Sequence, residues 1–191
     1  MEASSEIYLK LEGFIKKYYT NELLRGVIFF VGLGLLYLLF TLFIEYFLWL
    51  KPIGRTVLFV FFVVVEAFLF IRFVAFPIFK LFKLQKGINF EEASAIIGTH
   101  FTEVSDKLTN FLQLSDTVNQ EKSELLAASI EQKAKLLSPI PFSNAINFNV
   151  NKRYLPLAIL PILFFLFFYV SGNSYVISQS FERVVNFKKQ F

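Results

Sequence analysis

The run VVVEAFLFIR sets an acid and a base inside a hydrophobic segment. Glu66 stands near the middle of an apolar stretch from about Thr56 to Phe82, and Arg72 follows six positions later. In hydrocarbon such groups cost about 2.5–3.5 kcal/mol each, so a chain keeps them where they find partners or perform a task. Six residues of helix give about 9 Å of rise and about 240° of rotation, which points the two side chains apart. Arg72 can extend toward the nearer membrane surface; Glu66 has no such route. If the preceding apolar segment folds back at residue 52 or 53, Glu66 comes level with residues near 39. Tyr37 and Thr41 are then the nearest polar side chains, and Glu66, Arg72, Tyr37 and Thr41 are the candidate intramembrane contact residues. Three roles stand open for Glu66. It is held by hydrogen bonds within the bundle, it meets a polar or basic group on another subunit, or it carries protons or ions. A relay needs a chain of polar groups across the membrane, and the third apolar run has none between Leu155 and Phe168. That favours a partner over a pore. Glu45, closer to the end of its segment, is expected to reach headgroups or water.

Little other chemistry is available. The chain has no cysteine and a single histidine, His100, which leaves no thiolate chemistry and no multi-histidine site within one chain. The phosphate-loop, zinc-protease and nucleophile-elbow patterns are missing from the sequence. No enzyme activity, catalytic residue, cofactor or metal site is expected. Acids and lysines alternate through residues 87–150, whereas nucleic-acid binding needs a basic stripe. Neither nucleic acid nor a small-molecule substrate is an expected partner; lipids and other integral membrane proteins, in a hetero-complex, are.

The elements that must position these groups follow from composition. Of 191 residues, 55% are hydrophobic and 27 are Phe, well above the apolar share of soluble domains. The apolar residues cluster into three runs near the length of about 20 needed to cross a bilayer. Residues 1–22 hold an amphipathic helix with Ile7, Leu11, Phe14, Ile15 and Tyr18 on one side. It fits a helix lying on the membrane surface better than one packed on another protein. Thr20 or Asn21 is positioned to cap the next helix. Residues 23–82 make a transmembrane hairpin whose polar turn is Lys51-Pro52-Ile53-Gly54-Arg55, with Tyr46 and Trp49 at the interface. Gly32 and Gly34 permit a close helix approach, and Pro77 is placed to kink the second span. The N-terminus lacks the short basic start of a cleavable signal, so the first span is expected to stay as an anchor.

Residues 83–153 form a helical module. Asn89 and Glu92 make a capping box for a helix ending near Gly98. Thr102 caps a second helix, and a third runs from Gln120 to Leu137 with Leu125, Leu126, Ile130, Ala134 and Leu137 on one face. Phe142, Ile146 and Phe148 are expected in the membrane interface. The third span covers 154–170, with Pro156 in its first turn and Pro161 placed to bend it. The tail, 171–191, alternates like a first strand and is expected to lead into a longer region.

Lysine and arginine placement sets the expected topology. Four lie at or before Arg25 and nine between Lys80 and Arg153, against two in the hairpin turn and three in the tail. The heavier side is expected to be cytoplasmic. The expected fold is an all-α membrane protein with three transmembrane helices, an N-in hairpin plus a third span, and a cytoplasmic helical insert. The expected location is the bacterial inner membrane, with the C-terminus periplasmic.

The segments IIGTHFTEVSDKLTNFLQL (Ile96–Leu114) and KSELLAASIEQK (Lys122–Lys133), with FERVVNFKKQF (Phe181–Phe191), resemble the N-terminal membrane portion of a family of large bacterial envelope proteins carrying a domain of unknown function. The resemblance covers about residues 20–191, and the family supplies no catalytic residues to transfer. It implies early spans, a cytoplasmic helical insert, a further span and then a long extracytoplasmic region. It also implies a non-enzymatic role: anchoring that region and docking in a larger membrane assembly, in envelope biogenesis or protein export. The alternative is a component of a proton- or ion-conducting complex using Glu66.

Overall fold

A computed structural model describes residues 2–118 and 124–189, and every regular element among them is helical. Helix α1 runs unbroken over Glu2–Leu48. Helix α2 (Pro52–Phe70) passes through a π turn (Ile71–Ala75) into α3 (Phe76–Leu81). Then come α4 (Phe90–His100), α5 (Thr102–Val118), α6 (Glu124–Leu137), α7 (Leu155–Val170) and α8 (Ser174–Val185). The stretch 119–123, where the sequence reading starts its third module helix at Gln120, lies outside the described residues. The chain divides into two compact units, Met1–Asn21 with Phe79–Phe148 and Glu22–Ile78 with Asn149–Phe191.

The first unit is a helical module with its own core. Helices α4, α5 and α6 pack around the first turns of α1, burying Ile7, Leu11 and Phe14 completely together with Ile97, Leu108, Phe111, Ala134 and Leu137. The N-terminal amphipathic helix therefore spends its apolar stripe on its own chain rather than on a lipid surface. Polar contacts align it there. The Ser138 hydroxyl donates to Glu6 (2.8 Å), Lys17 Nζ donates to the Ser143 carbonyl (2.8 Å), and Lys10 Nζ donates to the Ser138 carbonyl. The expected break at Thr20 or Asn21 does not occur. Thr20 Oγ1 donates back to the Lys16 carbonyl (2.8 Å), the i−4 bond of a mid-helix threonine rather than a cap. The Asn89–Glu92 capping box is present in both directions, at 2.7 and 3.1 Å. Phe142 and Ile146, expected in the membrane interface, are buried in this core. Leu125 faces out at 85% exposure, so the inward face of α6 runs through Ile130, Ala134 and Leu137.

The second unit holds the apolar helices. Opposed residues of α1 and of the α2–α3 helix straddle Leu50 symmetrically to within one residue. Glu45 pairs with Arg55, Tyr37 stacks on Phe62, Gly34 faces Glu66, and Gly26 faces Phe73. This is an antiparallel hairpin whose link is only Trp49–Lys51. Pro52 belongs to the helix, not the turn, because its missing N–H is unneeded in a first helical turn. Trp49 takes a left-handed conformation (φ 44°) that ends α1, with its N–H donating to the Glu45 carbonyl (3.1 Å). Contacts between α1 and the chain around α7 keep a constant offset instead. Phe29 meets Tyr154 (4.9 Å), Gly32 meets Leu157, and Phe43 meets Phe168 (5.9 Å). These two helices run parallel.

Proline and glycine act together in this packing. Pro77 cannot donate to the Phe73 carbonyl four residues back. The helix ahead of it widens, with Phe76 N–H reaching the Ile71 carbonyl, and absorbs the proline as a π turn. The Phe73 carbonyl then lies so close to Gly26 that a Cβ there would sit 1.9 Å from it. At Gly32 a Cβ would sit 2.8 Å from the Leu157 carbonyl. The tail is helical rather than extended. Val176, Ser180 and Val184 are buried at four-residue spacing, the period of a helix and not of a strand.

Candidate functional site

The second unit holds two groups of ionisable side chains, at different heights on the hairpin. The first surrounds Glu66. Its carboxylate faces Gly34, where an added Cβ would approach Oε2 to 2.8 Å. Phe30, Val31, Leu35, Leu38 and Phe62 complete an open groove of about 370 Å³. Tyr37 lies near enough to interact electrostatically with Glu66, and its ring stacks on Phe62 at 5.8 Å and 10°. No hydrogen bond or ion pair to Glu66 forms among the described residues.

The other candidate contacts are not gathered there. Thr41 is fully buried and its hydroxyl donates to the Tyr37 carbonyl (2.9 Å). Opposite Glu66 stands Gly34, not a residue near 39, because the hairpin turns at Leu50, ahead of Pro52. Arg72 lies in the π turn, exposed, with its guanidinium 5.9 Å from the Phe73 ring centroid. It has no ion pair or hydrogen bond among the described residues. The structure thus brings Tyr37 to Glu66 and leaves Thr41 and Arg72 apart from it.

The second group was not anticipated. Glu45, expected to reach water or headgroups, is fully buried. Its Oε1 lies 3.0 Å from Arg55 Nε, with Arg55 only 6% exposed. Arg55 Nε donates to the Leu50 carbonyl (2.8 Å) and Nη1 to the Lys189 carbonyl (2.9 Å). Among the described residues no donor reaches the Glu45 oxygens in full hydrogen-bond geometry, although the Leu50 backbone faces the group. Arg183, on α8, lies within electrostatic reach of Glu45. Its guanidinium sits 3.8 Å from the Trp49 ring centroid, a close cation–π contact. Phe187 stacks on Phe59 at 4.8 Å. One carboxylate and two guanidiniums thereby hold the hairpin link and the C-terminal helix together. The signal in the sequence was the equal distance of Glu45 and Arg55 from residue 50, which becomes visible once Pro52 is assigned to the helix.

No group of three or more metal-ligating side chains occurs among the described residues. The class that fold and site define is an all-helical protein with three helices long and apolar enough to cross a membrane, Ala3–Leu48, Pro52–Leu81 and Phe142–Val170, and so multi-pass by length and composition. Comparison with family models, with curated proteins and with solved structures finds no match to this chain.

Proposed function

We propose that this chain is a non-enzymatic subunit of the bacterial inner membrane that anchors an extracytoplasmic region and docks in a larger membrane assembly. Envelope biogenesis or protein export is the setting suggested by the family it resembles. The observation that carries this is the state of the two charges in the second apolar helix. Glu66 opens into a groove, Arg72 faces outward, and neither has an ion-pair partner among the described residues. At about 2.5–3.5 kcal/mol per unpaired charge in hydrocarbon, a polar surface on a neighbouring membrane protein is the economical counterpart. The same groove serves the alternative, a conducting complex in which Glu66 titrates. The apolar face of α7, with no polar residue between Leu155 and Phe168, gives that reading no path across.

The two separate by substitution. Purified in mild detergent from its native membrane, the chain is expected to bring stoichiometric membrane partners. Glu66→Leu or Arg72→Leu should reduce their recovery about tenfold or more, and Glu66→Gln should retain them. A Glu66→Gln variant that keeps its partners but loses ion or proton flux would instead establish the conducting role.

The topology proposed is N-terminus and module inside, C-terminus outside. The parallel course of α1 and α7 supports exits on opposite sides, and the concentration of lysine and arginine in the N-terminal segment and module supports that side being the inside. Asn110 is exposed on α5 and the native chain has no cysteine. Asn110→Cys should therefore resist a membrane-impermeant maleimide in intact cells and react after permeabilisation. Labelling in intact cells would invert the topology.

A further inference from the structure

The first unit carries a cleft of about 720 Å³, within the range of small-molecule sites. One wall is α1 from Leu9 to Tyr19, and the other is the chain from Lys80 to Phe90. Both walls continue directly into apolar helices: Lys80 and Leu81 are the last residues of the second candidate span, and Tyr19 lies four positions before Leu23. Lys16, Lys80, Lys83 and Lys86 line it, with Glu12 as the acid among them. Glu12 is already matched by Lys83 (3.0 Å). Lys80 Nζ lies 5.8 Å from the Tyr19 ring centroid. The Tyr19 hydroxyl accepts from Ile88 N–H (2.7 Å) and fixes the far wall. Lys16 and Lys86 are exposed and make no side-chain hydrogen bond or ion pair among the described residues. Leu9 and Leu84 stand at the rim, 67% and 74% exposed.

Gly13 supplies an independent observation. It lies inside the unbroken α1, where glycine disfavours the helix, and it lines the cleft. A Cβ there would meet nothing within 4 Å. Gly26 and Gly32 are explained by neighbours in the chain; Gly13 is not. Its missing side chain leaves the α1 wall of the cleft open at that point.

We infer that this cleft binds the phosphate headgroup of an anionic phospholipid, with Lys16, Lys80 and Lys86 around the phosphate and the apolar rim against the upper acyl chain. The chemistry is that of juxtamembrane basic residues on anionic lipid, here gathered into a concave site. It rests only on α1 and the α2–α3 helix crossing a bilayer, and stands whether or not the chain joins an assembly.

The test uses the full chain in nanodiscs of phosphatidylcholine doped with phosphatidylglycerol, followed by native mass spectrometry of the lipid retained after extraction. Retention of phosphatidylglycerol over phosphatidylcholine is expected. Lys16→Gln with Lys86→Gln should lower it about 30-fold, the combined effect of two surface lysines on an anionic headgroup. Gly13→Leu, which occupies the cleft and favours the helix, should abolish retention while helicity holds and the melting temperature does not fall. Equal retention of both lipids, unchanged retention in Gly13→Leu, or unchanged retention in the lysine double variant would overturn the site. Displacement of the lipid by millimolar inorganic phosphate would overturn the lipid assignment and leave a soluble phosphate as the ligand. Loss of membrane partners by Glu66→Leu without loss of retained lipid keeps this result separate from the assembly reading.

Discussion

Glu45→Leu is expected to be the most damaging single substitution in the second unit, lowering stability by about 3–5 kcal/mol. The cause is not the loss of one attractive pair. Replacing Glu45 leaves the guanidiniums of Arg55 and Arg183, 6% and 9% exposed, without the carboxylate that both lie within reach of. Arg55 keeps its bonds to the Leu50 and Lys189 carbonyls, and Arg183 keeps the Trp49 ring, so the side chains cannot simply turn to water. Arg55→Leu should cost less, because Arg183 remains within electrostatic reach of the carboxylate. Glu45→Leu with Arg55→Leu should be milder than Glu45→Leu alone, since one buried guanidinium, that of Arg183, rather than two is then left without its carboxylate. Thermal unfolding of the four proteins in one detergent gives the coupling directly, expected at about 1–3 kcal/mol. A neutral Glu45→Leu would mean that the cluster does not hold the link and tail together.

Gly26→Ala should destabilise, and Gly13→Ala should stabilise, although both replace a glycine in the interior of the same helix. The propensity gain is common to the two, about 1 kcal/mol. At Gly13 nothing opposes it, because no atom lies within 4 Å of the new methyl. At Gly26 the methyl would stand 1.9 Å from the Phe73 carbonyl oxygen, and a backbone carbonyl cannot swing away like the end of a side chain. The helices must separate or the π turn must rewind. Overpacking of this kind costs about 1–3 kcal/mol and sometimes more, so the clash outweighs the propensity. Opposite shifts in melting temperature are the expected result. Shifts of the same sign would show that the π turn yields easily and that the close approach at Gly26 is not what sets the hairpin's packing.

The hairpin illustrates how a correct reading of element types can still misplace a site. Each of the three apolar runs is found as a helix, and Gly32 and Gly34 face close neighbours as their size suggests. The error was local: Lys51-Pro52-Ile53-Gly54-Arg55 has turn composition, but proline and glycine there occupy the first turn of α2. Moving the turn back to Leu50 changes the residue facing Glu66 from near 39 to Gly34, and it brings Arg55 onto Glu45. The tail misled for a related reason. Tyr175, Ile177, Val184 and Val185 suggest alternation, while the residues that become buried are Val176, Ser180, Arg183 and Val184, and which set is buried depends on the surface available to the helix.

The sequence by itself determined the apolar helices, the capping box at Asn89, the absence of thiolate chemistry and the presence of two costly charges in the second span. These follow from composition, periodicity and local hydrogen bonding, which act over a few residues. Only the tertiary structure decided that the N-terminal stripe is buried within its own module, that Glu45 is joined by Arg55 and Arg183, and that Gly13 borders open space while Gly26 does not. Those are properties of register and of which surfaces meet. A shift of two or three residues in a hairpin changes every facing pair without altering the pattern of either helix.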